Sequence, residues 1–68
     1  MTQTERVLRY MQKYGSISQL EATADLSITR LASRIHDIQK MGYTVNKRTE
    51  YGENAYGKYH YTRYSLEV

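Results

Sequence analysis

The chain has 68 residues and contains no cysteine, proline, tryptophan or phenylalanine, and only four glycines. Without cysteine there is no disulfide, no thiolate zinc site and no thiol nucleophile. That usage fits an intracellular location, expected to be the cytoplasm or nucleoid of a bacterial host. No apolar run approaches the roughly 20 residues needed to span a bilayer, and the N-terminal stretch lacks a signal-peptide core. A membrane partner is not expected. The two histidines, His36 and His60, fall in different elements, with no paired carboxylates at ligand spacing, so no metal is expected. No P-loop, nucleophile elbow or catalytic carboxylate pair is present, and Gly52 and Gly57 are spaced as hairpin glycines, not as a phosphate cradle. A chain this short has little room for an enclosed pocket. Enzyme activity, a cofactor and a small-molecule substrate are therefore the first possibilities to drop.

What the chain does have is enough apolar residue for one domain, expected to span residues 1–68, with about 3–5 kcal/mol of net stability. The formal charge of +3 is unevenly spread. Residues 1–27 balance Arg6, Arg9 and Lys13 against Glu5, Glu21 and Asp25. Residues 28–48 hold Arg30, Arg34, Lys40, Lys47 and Arg48 against Asp37 alone, and residues 49–68 are slightly acidic. A basic middle segment suits a polyanionic partner, although charged faces are often only solvated.

Thr2 and Glu5 have capping-box spacing, and the segment through Tyr14 follows a helical period, with Val7, Leu8, Met11 and Tyr14 on one side. Gly15 stands where a left-handed cap belongs. Ser16-Ile17 is extended and too short to stand alone, but could pair with a later hairpin edge. Ser18 and Glu21 form a second capping box for a helix over Gln19 to about Asp25, expected to bury Leu20 and Ala24. Leu26-Ser27-Ile28 reads as a turn. Thr29, or alternatively Ser27, is expected to cap a third helix at about 29–41 that buries Leu31, Ile35 and Ile38 and ends at Gly42. The period then changes to two. Tyr43 to Glu50 reads as a strand with Tyr43 and Val45 on one face. Lys58 to Leu66 reads as its partner, with Tyr64 and Leu66 inward and Tyr59, Tyr61 and Arg63 outward. Residues 51–57 form the polar loop between them.

Two short helices meeting at a tight turn, the second with basic and small polar residues opposite its apolar stripe, make a helix-turn-helix. A hairpin directly after it completes an α+β layout: a three-helix core followed by a two-stranded β-hairpin wing, the winged helix. The chain also resembles the small winged helix-turn-helix proteins of bacteriophages and prophages. The resemblance rests on Thr4-Glu5-Arg6-Val7-Leu8, Gly15-Ser16-Ile17 with Glu21-Ala22, Arg30-Leu31-Ala32, Arg34-Ile35-His36-Asp37-Ile38 and Gly42-Tyr43. It implies a DNA-binding role by analogy of fold, here as a transcriptional regulator of a phage or mobile element. One departure is Ser27, which stands where a glycine often occupies the turn and so implies backbone strain.

On this layout the third helix enters the major groove. Arg30, Ser33 and Arg34 lie in its first two turns, where an arginine can chelate guanine O6 and N7 for about 1–3 kcal/mol of discrimination. Thr29, with Ser18 and Gln19 at the start of the second helix, suits phosphate. Lys40, Lys47, Arg48 and Lys58 are further phosphate candidates; about five such contacts give log affinity a slope of about −4 to −5 against log salt. Arg34 has a structural alternative, pairing with Asp37. The acidic Glu50 and Glu53 make the wing the least favourable part. Whether Tyr59 and Tyr61 are both outward or are neighbours of opposite facing, at least one is exposed, which suits a protein interface slightly better than nucleic acid.

Double-stranded DNA is thus the leading partner. A second class is a phage-encoded, protein-binding inhibitor of a host factor, such as an anti-CRISPR protein, acting through the tyrosine-rich hairpin. A third is an excisionase-like or architectural DNA-binding role. A homodimer on a two-fold site is consistent with the small interface of one such module, about 600–1,000 Å². Any dimerisation would have to use the hairpin or the first helix.

Overall fold

The computed structural model describes residues 1–67. Helix α1 (Gln3–Tyr14) is followed by strand β1 (Ser16–Ser18), helices α2 (Gln19–Leu26) and α3 (Leu31–Lys40), and strands β2 (Val45–Asn54) and β3 (Gly57–Leu66). The helix-turn-helix and its hairpin are present as expected. The wing, however, belongs to a three-stranded antiparallel sheet of order β1-β3-β2, because the short Ser16–Ser18 segment pairs with Arg63–Ser65.

The Thr2–Glu5 capping box forms in both directions, and Gly15 closes α1 in the left-handed conformation with its N–H on Met11. Val7, Leu8 and Met11 are buried as expected. Tyr14 is not, being 61% exposed. It lies past the end of the apolar stripe and packs against Tyr10 instead, ring centroids 4.6 Å apart and planes tilted by 48°.

Helix α2 corrects the expected core. Leu20 is 78% exposed and Ala24 is also exposed, while Ala22 is fully buried. In this eight-residue helix the inward positions are Ala22, fully buried, and Leu26 one turn on, partly buried against the core. The turn that follows holds Ser27 at φ 57°, the left-handed region that costs a non-glycine residue about 1 kcal/mol. Ser27 is therefore the strained position anticipated from the missing glycine. Ile28 is buried, its N–H on Ala22 C=O at 3.0 Å.

Neither Thr29 nor Ser27 caps α3. The N-cap is Arg30, with no side-chain hydrogen bond, and Ser27 terminates α2 instead. The capping role passes to Gln19: its Oε1 accepts from Leu31 N–H at 3.1 Å, and its Nε2 donates to Ile28 C=O at 2.8 Å. One amide thus satisfies a donor and an acceptor that the tight turn leaves without backbone partners.

The hairpin is longer and tighter than expected. Strand β2 starts at Val45, two residues after Tyr43, and runs on to Asn54, leaving only Ala55-Tyr56 as the loop. The reason lies at Gly52, opposite Tyr59. A side chain at Gly52 would overlap the Tyr59 ring, so the aromatic covers the glycine and the ladder continues through it. Tyr59 and Tyr61 share one face, since residues two apart in a strand do, and their rings stack at 6.1 Å. Tyr59 and Tyr61 are thus both outward and do not face opposite ways. Val45 is buried, and Tyr64 and Leu66 pack against the core with Ile17, Ile28, Leu31, Ile35 and Ile38.

Candidate nucleic-acid interface

The alternation of the sheet divides the wing into two unlike faces. Val45, Lys47, Thr49, Tyr51 and Glu53 of β2 share a face with Lys58, His60, Thr62, Tyr64 and Leu66 of β3, and the base of this face is the one turned to the helical core. The opposite face carries Arg48 and Glu50 of β2 with Tyr59, Tyr61 and Arg63 of β3. Lys47 and Arg48, adjacent in sequence and grouped together as phosphate candidates, therefore point to opposite sides.

Ion pairing occupies much of the second face. The Arg63 guanidinium bonds Glu50 through Nε and Glu21 and Ser16 through Nη1, at 2.8 Å and 3.1 Å for the latter two. Arg48 meets Glu50 at 3.2 Å. Glu21 also closes the α2 capping box on Ser18, so Arg63 ties the start of α2 to the middle strand of the sheet. The hydrogen bond from Arg63 holds Glu50 below the usual carboxylate range, and the carboxylates in turn raise the Arg63 guanidinium further above its already high value. Arg63 lies on the face away from the core, as the strand alternation predicts, but Glu21 and Glu50 leave it half-buried there. The only sequence signal of this cluster is that Glu21 and Arg63 come together once β1 pairs with β3, a long-range event.

The outer face of α3 is built differently. Leu31, Ile35 and Ile38 are buried; Ala32, His36 and Lys40 are exposed, with Ser33 half-buried between them. Arg30 and Thr29 are exposed at the helix start, and Arg30 has no ion pair among the described residues. Arg34 adopts the structural alternative. It meets Asp37 at 3.2 Å, one turn on, and its Nη1 donates to Gln3. Asp37 also accepts from Thr4 at 3.1 Å, so Arg34 and Asp37 bind α3 to α1. Two residues not singled out for DNA, Ala32 and His36, stand in the outer row. For His36 that facing follows from helical spacing, whereas Ala32 reads from spacing as an edge of the buried stripe and is exposed instead.

The remaining candidates separate by access. Ser18 is only 3% exposed, and its hydroxyl is engaged with Glu21, which leaves no approach for a phosphate. The Gln19 amide is held in the turn. Lys47 is exposed on the core-side face. Lys58 lies on the same face but directly across from Glu53. Tyr51 and His60 sit beside each other there at 6.3 Å. Tyr59 and Tyr61 line a groove with Leu20, Glu21 and Arg63. Elsewhere, Tyr10 donates to Asp25 at 2.6 Å, and that bond pushes its hydroxyl up to about 12. No cluster of residues that could hold a metal ion occurs among the described residues, and no helix there is long and apolar enough to cross a membrane.

A family model described as a winged helix-turn-helix domain matches residues 2–68. No curated protein and no solved structure matches the chain.

Proposed function

The chain belongs to the winged helix-turn-helix family, and from that premise we propose that it binds double-stranded DNA with the outer face of α3 in the major groove, as a transcriptional regulator of a phage or another mobile element. The observation that carries this is the contrast within one helix. Asp37, the only carboxylate of α3, is engaged by Arg34 and Thr4, while Arg30 at the N-terminal end stays exposed and uncompensated. Small Ala32 and Ser33 beside it allow close approach to the base edges, and alanine can pack on a thymine methyl. Lys40 and Lys47 extend the positive surface toward phosphate.

The test is a titration against random-sequence and self-genomic DNA at two salt concentrations. Arg30→Ala should weaken binding to the preferred sequence by about 5- to 150-fold, matching about 1–3 kcal/mol for one bidentate contact, without changing the unfolding midpoint. Arg34→Ala should instead lower stability by about 0.5–1 kcal/mol and move DNA affinity less. If the wild type and Arg30→Ala bind alike, α3 is not the reading element. A second reading, a protein-binding role through the hairpin, is favoured by the stacked Tyr59–Tyr61 pair beside the exposed Leu20. It requires that Tyr59→Ala and Tyr61→Ala abolish function while DNA binding persists.

A further inference from the structure

The outer edge of β2 is an unpaired strand ten residues long, without proline and with an unbroken register against β3. A two-residue hairpin loop is closed by a hydrogen-bonded pair, here Asn54 and Gly57, so the even-numbered residues of β2 direct their backbone groups to β3. The odd-numbered residues Lys47, Thr49 and Tyr51 therefore turn their N–H and C=O groups outward to the open edge. Such an edge pairs with another strand unless charge forbids it.

The charges on β2, where Arg48 meets Glu50 of its own strand at 3.2 Å and Glu50 is also held by Arg63, select one arrangement, in which these pairs are shared across the edge. We propose that two copies of the chain join edge to edge through β2, antiparallel, on a two-fold axis through Thr49. In that register Arg48 of each copy lies opposite Glu50 of the other, and Lys47 lies opposite Tyr51. Shifting the axis by one residue sets Arg48 against Arg48 or Glu50 against Glu50, which is unfavourable for charges directly opposed. The exposed outer edge of β3, beyond its pairing with β1 at Arg63, carries Lys58 and His60 with no carboxylate and has no such self-complementary register. An axis perpendicular to the sheet keeps equivalent faces together, so the two helical cores lie on the same side of a joined six-stranded sheet. Val45 of the two copies would stand about 26 Å apart along the strands.

This pairing rests on the DNA-binding reading only for its use, and it is tested without DNA. Sedimentation over a concentration series should show a dimer for the wild type. Thr49→Pro removes an outward N–H while leaving the β2–β3 ladder intact, and Arg48→Glu opposes like charges; each should weaken the dimer by about tenfold or more. The chain has no native cysteine, so Thr49→Cys should form an intermolecular disulfide on mild oxidation, because a hydrogen-bonded pair on the axis has a Cα separation of about 5.5 Å. Tyr51→Cys should cross-link far less. A monomeric wild type, a dimer untouched by Thr49→Pro, or equal cross-linking at 49 and 51 overturns the proposal. Loss of DNA binding in Arg30→Ala with a dimer absent would leave the DNA reading standing and this one refuted.

Discussion

At the junction of α2 with the sheet, Arg63 reaches Glu21, Glu50 and Ser16, whereas at the start of α3 Arg30 lies exposed with no carboxylate beside it. Both are arginines that follow a threonine, and nothing in their immediate sequence separates them. The difference comes from what the topology delivers. Pairing of β1 with β3 carries Glu21 to Arg63, and the hairpin register puts Glu50 on the same face. The helix end that approaches Arg30, the start of α2, brings the neutral Gln19 amide to Leu31 N–H and no carboxylate. One arginine holds the domain together and the other is available for a partner. Arg34 is closer to the first kind than to the second.

The comparison can be broken most sharply at Arg63. Arg63→Ala leaves two carboxylates facing each other beside the α2 cap and should lower stability by about 1–2 kcal/mol in urea unfolding. This is below the cost of breaking a fully buried pair, because the cluster is partly open to solvent. DNA affinity of the folded fraction should not change. A comparable loss of stability in Arg30→Ala would erase the distinction.

Ser27→Gly tests whether the turn before α3 is strained. Glycine adopts φ 57° without a Cβ penalty, so the variant should gain about 0.5–1 kcal/mol, read as a higher unfolding midpoint. A destabilised variant would mean that the side chain of Ser27 matters more than its backbone.

The two faces of the wing predict a smaller effect, visible only in salt dependence. Lys47→Ala should reduce the slope of log affinity against log salt by about 1. Arg48→Ala, already neutralised by Glu50 on the other face, should leave the slope unchanged. Equal changes would mean that both faces meet DNA.

The smallest effect is on the acid side. Glu50 has its pKa lowered in the folded chain by the hydrogen bond from Arg63. Its contribution is present above the ordinary carboxylate range and is lost as pH falls through its folded value. Stability measured downward from neutral pH should therefore fall below about pH 4.5, and Arg63→Ala should flatten that part of the curve. At the other end, Tyr10 is raised to about 12 by Asp25. Its stabilisation is complete below its ordinary value near 10 and is lost as pH rises through about 12, a limb that Tyr10→Phe would remove.

Much of the fold was legible in the residues because the determining interactions are local. The capping boxes at Thr2–Glu5 and Ser18–Glu21, Gly15 and Gly42 at the helix ends, and the stripe Leu31–Ile35–Ile38 all act over a few residues. What escaped was set by contacts distant in sequence. Leu20 looked like a core residue, but the positions of α2 that meet the core are Ala22 and Leu26. Thr29 looked like a cap until Gln19, twelve residues before Leu31, took that role. The loop over 51–57 closed to two residues because Tyr59 covers Gly52.

By itself, the sequence determined the order of helices and strands, the positive segment from Arg30 to Arg48, and the buried stripe of α3. Periodicity, capping and charge are properties of neighbouring residues. Only the tertiary structure decided which of those charges remain open. Strand register sends Lys47 and Arg48 to opposite faces, and the approach of α1 and β1 supplies partners to Arg34 and Arg63. A positive charge is available for DNA only where the fold brings no carboxylate within reach.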